Sequence, residues 1–276
     1  MAAGPEITSA AGLRRVQVYA LDTAGYPDGD QSGANGYEGR MVRGIQSMTL
    51  NIPAMRRITH EGQDRVIAQD YLPPNEAASG EFRAAAQDLG LDATLTNTLL
   101  DEVAEVTLGG LATDQQGNEI DVCIIVYRQA LDTTPGAQQL RRWQHYIFPV
   151  ARLVPRPGGA DQGGKEENIY DLIPTVASKT PWGVDFTVAD NGFTETQVLR
   201  GTSEYPMMME RFDGDGILTT FNLSWTPIST AKTAAFVDGV VAAVSSVNTT
   251  TKTVTLSSAP ADGSKVVIVY QTSDAI

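Results

Sequence analysis

Hydrophobic and polar residues alternate along most of this chain with a period of two, the spacing of a strand that turns one face to a core and the other away. In "RRVQVYAL", Arg14 to Leu21, the residues Val16, Val18 and Ala20 alternate with Arg15, Gln17 and Tyr19. "IQSMTLNIP" resumes the pattern with Ile45, Met48, Leu50 and Ile52, and stops at Pro53, which cannot donate to a ladder. "DRVIAQDYLPP" reads as another strand, and "EVTLGGLATDQQGNEIDVCIIVYRQAL" as two strands joined by a "DQQGNE" turn in a hairpin. A further strand is expected through Tyr146 to Val154, preceded by a short helix over Gln138 to Gln144. "EFRAAAQDLGLDATLTN", Glu81 to Asn97, opens with helix formers and predicts two helical turns, against a competing strand reading. "IYDLIPTVAS", "GVDFTVAD" and "TETQVL" are again strand-sized and bounded by Pro, Gly and Asn.

Two stretches break the alternation. Asp22 to Arg43, "DTAGYPDGDQSGANGYEGRMVR", holds five glycines and a proline, and Arg156 to Asn168, "RPGGADQGGKEEN", is a second glycine-rich excursion. Loops of that length are uncommon in compact domains unless they bind something or are disordered. After Arg211 the texture changes to short strands at near-regular spacing, "ILTTFNLS", "TAAFV", "VVAAV", "KTVTLS" and "KVVIVY", which describe a small all-β sandwich or meander. The Asp238-Gly239 pair between alternating runs is the strongest local hairpin signal.

Composition narrows the function more than the fold. At 276 residues and 42% hydrophobic, the chain is long enough to bury one large core, or one medium and one small. A formal net charge of −13 argues against a protein that grips nucleic-acid phosphates. The single cysteine, Cys123 in "DVCIIVY", permits no intramolecular disulfide and reads as an inert core thiol. The N-terminus lacks the basic start and apolar core of a signal peptide, and no stretch reaches the roughly 18 apolar residues of a membrane span. A soluble protein made in a cytoplasm is expected, without a membrane partner.

The chemical motifs are weak. "DGDG", Asp213 to Gly216, has the look of a calcium loop, but Ile217, Leu218, Thr219, Thr220 and Phe221 follow, with no carboxylate before Asp238. Turn chemistry, and a hinge over Asp213, Gly214, Asp215 and Gly216, is the better reading. His60 and His145 are the only histidines and stand in neither a G-x-S-x-G nor an H-E-x-x-H context. No phosphate-cradling glycine motif is present either. No enzyme, metal or cofactor is expected. "LRRWQHYIFP" gathers Arg142, Trp143 and Tyr146, residue types enriched at protein–protein contacts, and the alternative is a solvated face with core aromatics.

The order of these pieces resembles the major tail tube proteins of long-tailed bacteriophages. The likeness rests on the "RRVQVYALDTAGYP" opening, the glycine-rich loop, "MTLNIPAMRRITHEGQDRVIAQDYLPPNEAASGEF", "VCIIVYRQAL" and "WQHYIFPVARLVPRPGG". The end of the chain, from "FDGDGILTTFNLSWTPI" to "KVVIVY", is similar to the Ig-like or fibre-type modules appended to phage structural proteins. The resemblance implies a mainly β fold: a tail-tube-like β-sandwich or barrel with a short helix and long loops over residues 1–211, and a small C-terminal Ig-like sandwich over 212–276. It also implies a virion protein, assembled in the host cytoplasm into stacked rings of six copies that pass DNA without reading its sequence. Other tail proteins, such as the tape measure and the tail terminator, would be its partners. Tyr26, Asp28, Asp30, Tyr37, Arg40, Arg43, Arg156, Lys165 and Glu166 are then the candidates for contacts between subunits or rings. On that reading the 212–276 module decorates the outside, and a chain ending at Arg211 still builds tubes. The rival from another class is a tail-tip or fibre protein that binds receptor carbohydrate on Trp182, Trp225 or Tyr270.

Overall fold

The computed structural model describes residues 7–28, 36–42, 45–51, 56–62, 65–72, 78–85, 91–92, 95, 102–103, 106–107, 120–132, 141–156, 168–186 and 195–274. The fold is mainly β, built from antiparallel sheets.

The first half supplies β1 (Ile7–Ala20), β2 (Arg40–Met41), β3 (Ile45–Asn51), β4 (Arg56–Gly62), β5 (Arg65–Leu72), β6 (Ser79–Ala84), β7 (Glu102–Val103), β8 (Val106–Thr107), β9 (Val122–Asp132) and β10 (Arg141–Arg156). β11 (Asn168–Thr175) and β12 (Leu199–Ser203) follow. The main sheet runs β2-β1-β9-β10-β11-β6-β3, with β12 also on β10. β10 is long enough to hold two partners on one edge, β12 along Trp143–Ile147 and β11 along Val150–Arg156, with a register shift between Phe148 and Ala151. β4 with β5, and β7 with β8, form separate two-stranded ladders.

The second half supplies β13 (Met207–Asp213), β14 (Thr220–Asn222), β15 (Thr233–Val237), β16 (Val240–Ala242), β17 (Val244–Asn248), β18 (Thr253–Leu256) and β19 (Lys265–Gln271), with one 3-10 turn at Thr230–Lys232. They form two sheets, β13-β19-β15-β16 and β14-β18-β17. The Asp238-Gly239 turn joins β15 to β16 with φ of 48° and 78°, the type I′ geometry its sequence predicts. Glycine is also demanded there by space, since a Cβ at position 239 would lie 2.3 Å from the Gly183 carbonyl oxygen.

Each face of the main sheet has its own core. Val16, Val18, Ile124, Val126, Phe148, Leu153 and Tyr170 pack on one side with Phe82, Leu91 and Leu95. Tyr19, Cys123, Ile125, Tyr127 and Ile147 face the other way, into a cluster completed by Met208, Met209, Phe212, Phe221, Val254 and Ile268. The β13–β19 half therefore shares a core with the main sheet. The 211/212 boundary falls inside β13, whose ladder with β19 begins at Met207 and runs to Asp213.

Three local expectations change. β9 pairs with β1 and β10, so it is a central strand and not one arm of a "DQQGNE" hairpin. Its unbroken apolar run suits a strand buried on both faces. The helix over Gln138 to Gln144 gives way to β10 from Arg141, where Trp143, His145 and Ile147 alternate against Tyr146 and Phe148. "EFRA" lies in β6, and among the described residues of that segment helical backbone is found at Leu91, Asp92 and Leu95. The leucines, one turn apart, are both buried in the second core.

Candidate functional site

β13 is bonded along both edges. Met208, Glu210 and Phe212 lie opposite Tyr270, Ile268 and Val266 of β19. The backbone of the odd-numbered residues is satisfied from the other half of the molecule: Tyr127 Oη donates to the Met207 carbonyl at 2.8 Å, and Tyr19 Oη to that of Met209 at 2.9 Å. Nε2 of His145 accepts from the Met207 N–H at 3.1 Å, and Tyr37 and Arg211 exchange backbone bonds of 2.8 and 3.1 Å. A strand edge that would otherwise invite pairing is thus closed by side chains of β1, β9 and β10 and by the chain around Tyr37.

The first glycine-rich excursion meets the second half of the chain here. Asp22 Oδ1 accepts from the N–H groups of Ala24 and Tyr26, both at 2.9 Å, an Asx turn that brings Tyr26 into the shared core. Asp28 lies 3.7 Å from Arg211, which also pairs with Asp213 at 2.7 Å. Tyr37 sets its ring edge-on to Tyr19, with centroids 6.1 Å apart. Gly36 has no room for a side chain, because a Cβ would stand 2.5 Å from Phe212 Cζ. Glu38 accepts from Trp225 Nε1 at 2.6 Å, and Arg15 stacks over that indole at 4.7 Å. Arg40, exposed, lies in β2 opposite Val18.

Under this seam lies a buried carboxyl. Glu210 is fully enclosed and is bonded by the Tyr270 phenol and by both the N–H and the hydroxyl of Ser224. Burial outweighs those bonds and pushes Glu210 up to about 7, with Glu38 adding repulsion. Burial and the neighbouring Glu210 carry Tyr270 far above the ordinary phenol range.

The remaining sequence-predicted positions scatter. Arg156 lies at the end of β10, between Glu81 and Asp171 at 3.1 Å each. Asp30, Arg43, Lys165 and Glu166 lie outside the described residues. Asp213 ends β13, and the Gly214–Gly216 turn is bonded to the 260–264 loop: Gly214 N to Ser264 O at 2.9 Å and Gly216 N to Pro260 O at 3.0 Å. Asp215 Oδ1 accepts from the N–H groups of Ile217 and Leu218, a turn role. Of the alternative stacking residues, Trp182 packs on Phe236 with ring centroids 6.0 Å apart, Tyr270 is buried, and Trp225 is engaged by Arg15 and Glu38.

Of the β10 trio, Arg142 lies opposite Ala130, while Trp143 and Tyr146 face opposite sides of the sheet. Tyr146 floors a cleft of about 520 Å³, walled by Leu13 and by Gln46, Ser47, Met48 and Leu50 of β3. The register builds that floor. Arg200 of β12 is directly across from Tyr146, and Arg128 of β9 is across from Gln144 and from Leu13 of β1. Both guanidinium groups thereby flank the Tyr146 ring, at 5.9 Å for Arg128 and 5.7 Å for Arg200. Neither arginine stands out in the sequence, since only pairing across three strands unites them.

No protein-family model matches the chain, and no curated protein matches it in sequence.

Proposed function

We propose that the chain is a structural protein that associates with copies of itself, built as a tail-tube subunit whose rings stack into a conduit for DNA. The observation that carries this reading is the pair of unlike open edges on the main sheet. Among the described residues, β2 covers β1 only at Gln17 and Val18, and Val42 bonds Val16, which leaves the outer edge of Ile7 to Arg15 unpaired. At the other end of the strand order β3 pairs only with β6 among the described residues. Two different edges join head to tail, and such contacts repeat into a ring when the rotation closes. The acidic balance suits a conduit from which polyanionic DNA must slip freely.

Negative-stain electron microscopy of the purified chain over a concentration series tests the proposal. Rings or tubes with a central channel are the expected result. Single particles of one subunit at every concentration would overturn it.

A further inference from the structure

We propose that the cleft floored by Tyr146 seats an extended acidic segment from a second copy of this chain. Arg128 and Arg200 carry the inference. Among the described residues neither reaches a carboxylate, as is true also of Arg14, Arg15 and Arg40, while Arg83, Arg152, Arg156 and Arg211 do. Both instead hold to one tyrosine ring at the floor of an open cleft, with Gln46 and Ser47 exposed at its rim. Among the described residues no carboxylate lines the cleft. Two forked donors on either side of an aromatic face fit carboxylate groups spaced along an extended backbone, and Leu13, Met48 and Leu50 offer apolar wall to the methylenes between them.

The place of the cleft in the sheet favours a strand-like occupant. β1 and β3 come near one another with no ladder between them among the described residues. A segment lying along the rim meets the outer edge of β3, which among the described residues has no second ladder partner. The chain itself supplies the complement: 33 acidic residues against 20 basic ones leave carboxylates in surplus on every copy. Repulsion between whole copies is screened beyond about 8 Å at physiological salt, while contacts made inside a cleft are screened much less. A DNA duplex, with its charge spread along a rod, does not enter a space of this size.

The inference deepens the assembly reading and rests on it for the source of the occupant. Sedimentation of the full chain, at low and high salt, is compared with that of the Arg128→Gln/Arg200→Gln double variant and of Arg128→Lys/Arg200→Lys. The glutamine pair is expected to weaken self-association by about tenfold or more, with the lysine pair restoring part of it and all three chains melting alike. Assemblies that persist unchanged in the glutamine variant overturn the cleft and leave the tube reading standing. Arginine-dependent small oligomers that never grow into rings support the cleft and overturn the tube. A parent chain that stays monomeric throughout overturns both.

Discussion

Tyr19 of β1 donates its phenol to the Met209 carbonyl of β13 at 2.9 Å, a bond between residues 190 positions apart in a fully buried setting. It makes the strand that crosses position 211 as much a part of the first half as of the second. A chain ending at Arg211 loses β19, the ladder partner of β13, and uncovers Tyr19, Cys123, Ile125 and Tyr127. The expected outcome is an aggregating product that binds a hydrophobic dye and shows no cooperative melt, in contrast to the sequence-based expectation that such a chain still builds tubes. A soluble 1–211 fragment that melts like the parent would restore the boundary at 211.

The Glu210 carboxyl gives the fold a pH dependence of unusual sign. Its pKa rises from 4.5 to about 7 on folding, so the folded state holds the proton more tightly. The resulting stability is fully present below about pH 4.5, and it declines as pH rises until it is lost above about 7, a change on the order of 3 kcal/mol. Glu210→Gln cannot titrate. Its unfolding free energy relative to the parent is expected to improve by about 3 kcal/mol from acid to mildly alkaline pH in denaturant melts. A constant difference across that range would show that Glu210 is already ionised in the folded protein.

His145 works in the opposite direction. Burial pulls its pKa from 6.5 down to about 4, although the backbone of Gly201 favours the charged form. The neutral ring accepts from Met207 at Nε2, which an added proton would forbid. This contribution is fully present above pH 6.5 and is lost as pH falls to about 4, again on the order of 3 kcal/mol. The two slopes oppose each other through the mildly acidic range, so the parent is expected to change little there. His145→Gln should uncover a fall in stability with rising pH, and Glu210→Gln a rise. Parallel pH profiles for the two variants would remove the opposition.

What the sequence revealed followed the range of the interactions. β14, β15, β16, β18 and β19 were legible because short alternating runs and turn residues such as Asp238-Gly239 act locally. The partners of β9 were not, because β1 lies more than a hundred residues away and one apolar run fits many neighbours. Glu210 carried a signal that went unread: in "MMMERF" it shares parity with Met208 and Phe212, which places a carboxylate on a buried face. The Arg128–Tyr146–Arg200 row had none, since it exists only once three strands are in register.

The contact between Glu38 and Trp225 fixes the returning arm of the first loop to the second half of the chain. Glu38 receives the indole N–H through its carboxylate at 2.6 Å and the Gln17 amide through its carbonyl at 2.6 Å, and Arg15 bonds Gln17 at 2.7 Å while stacking on the same indole. Four side chains from three stretches of sequence thus share one network, which makes single substitutions a poor measure of any one bond. Trp225→Phe keeps an aromatic surface under Arg15 and deletes the donor, and Glu38→Ala deletes the acceptor. In a double-mutant cycle the pair is expected to couple by about 1 to 2 kcal/mol, because the bond is charge-assisted and partly shielded from water. The coupling should survive high salt, unlike that of an exposed ion pair. Additive effects of the two substitutions would mean that the arm is held by the Tyr37–Arg211 backbone bonds without help from the indole.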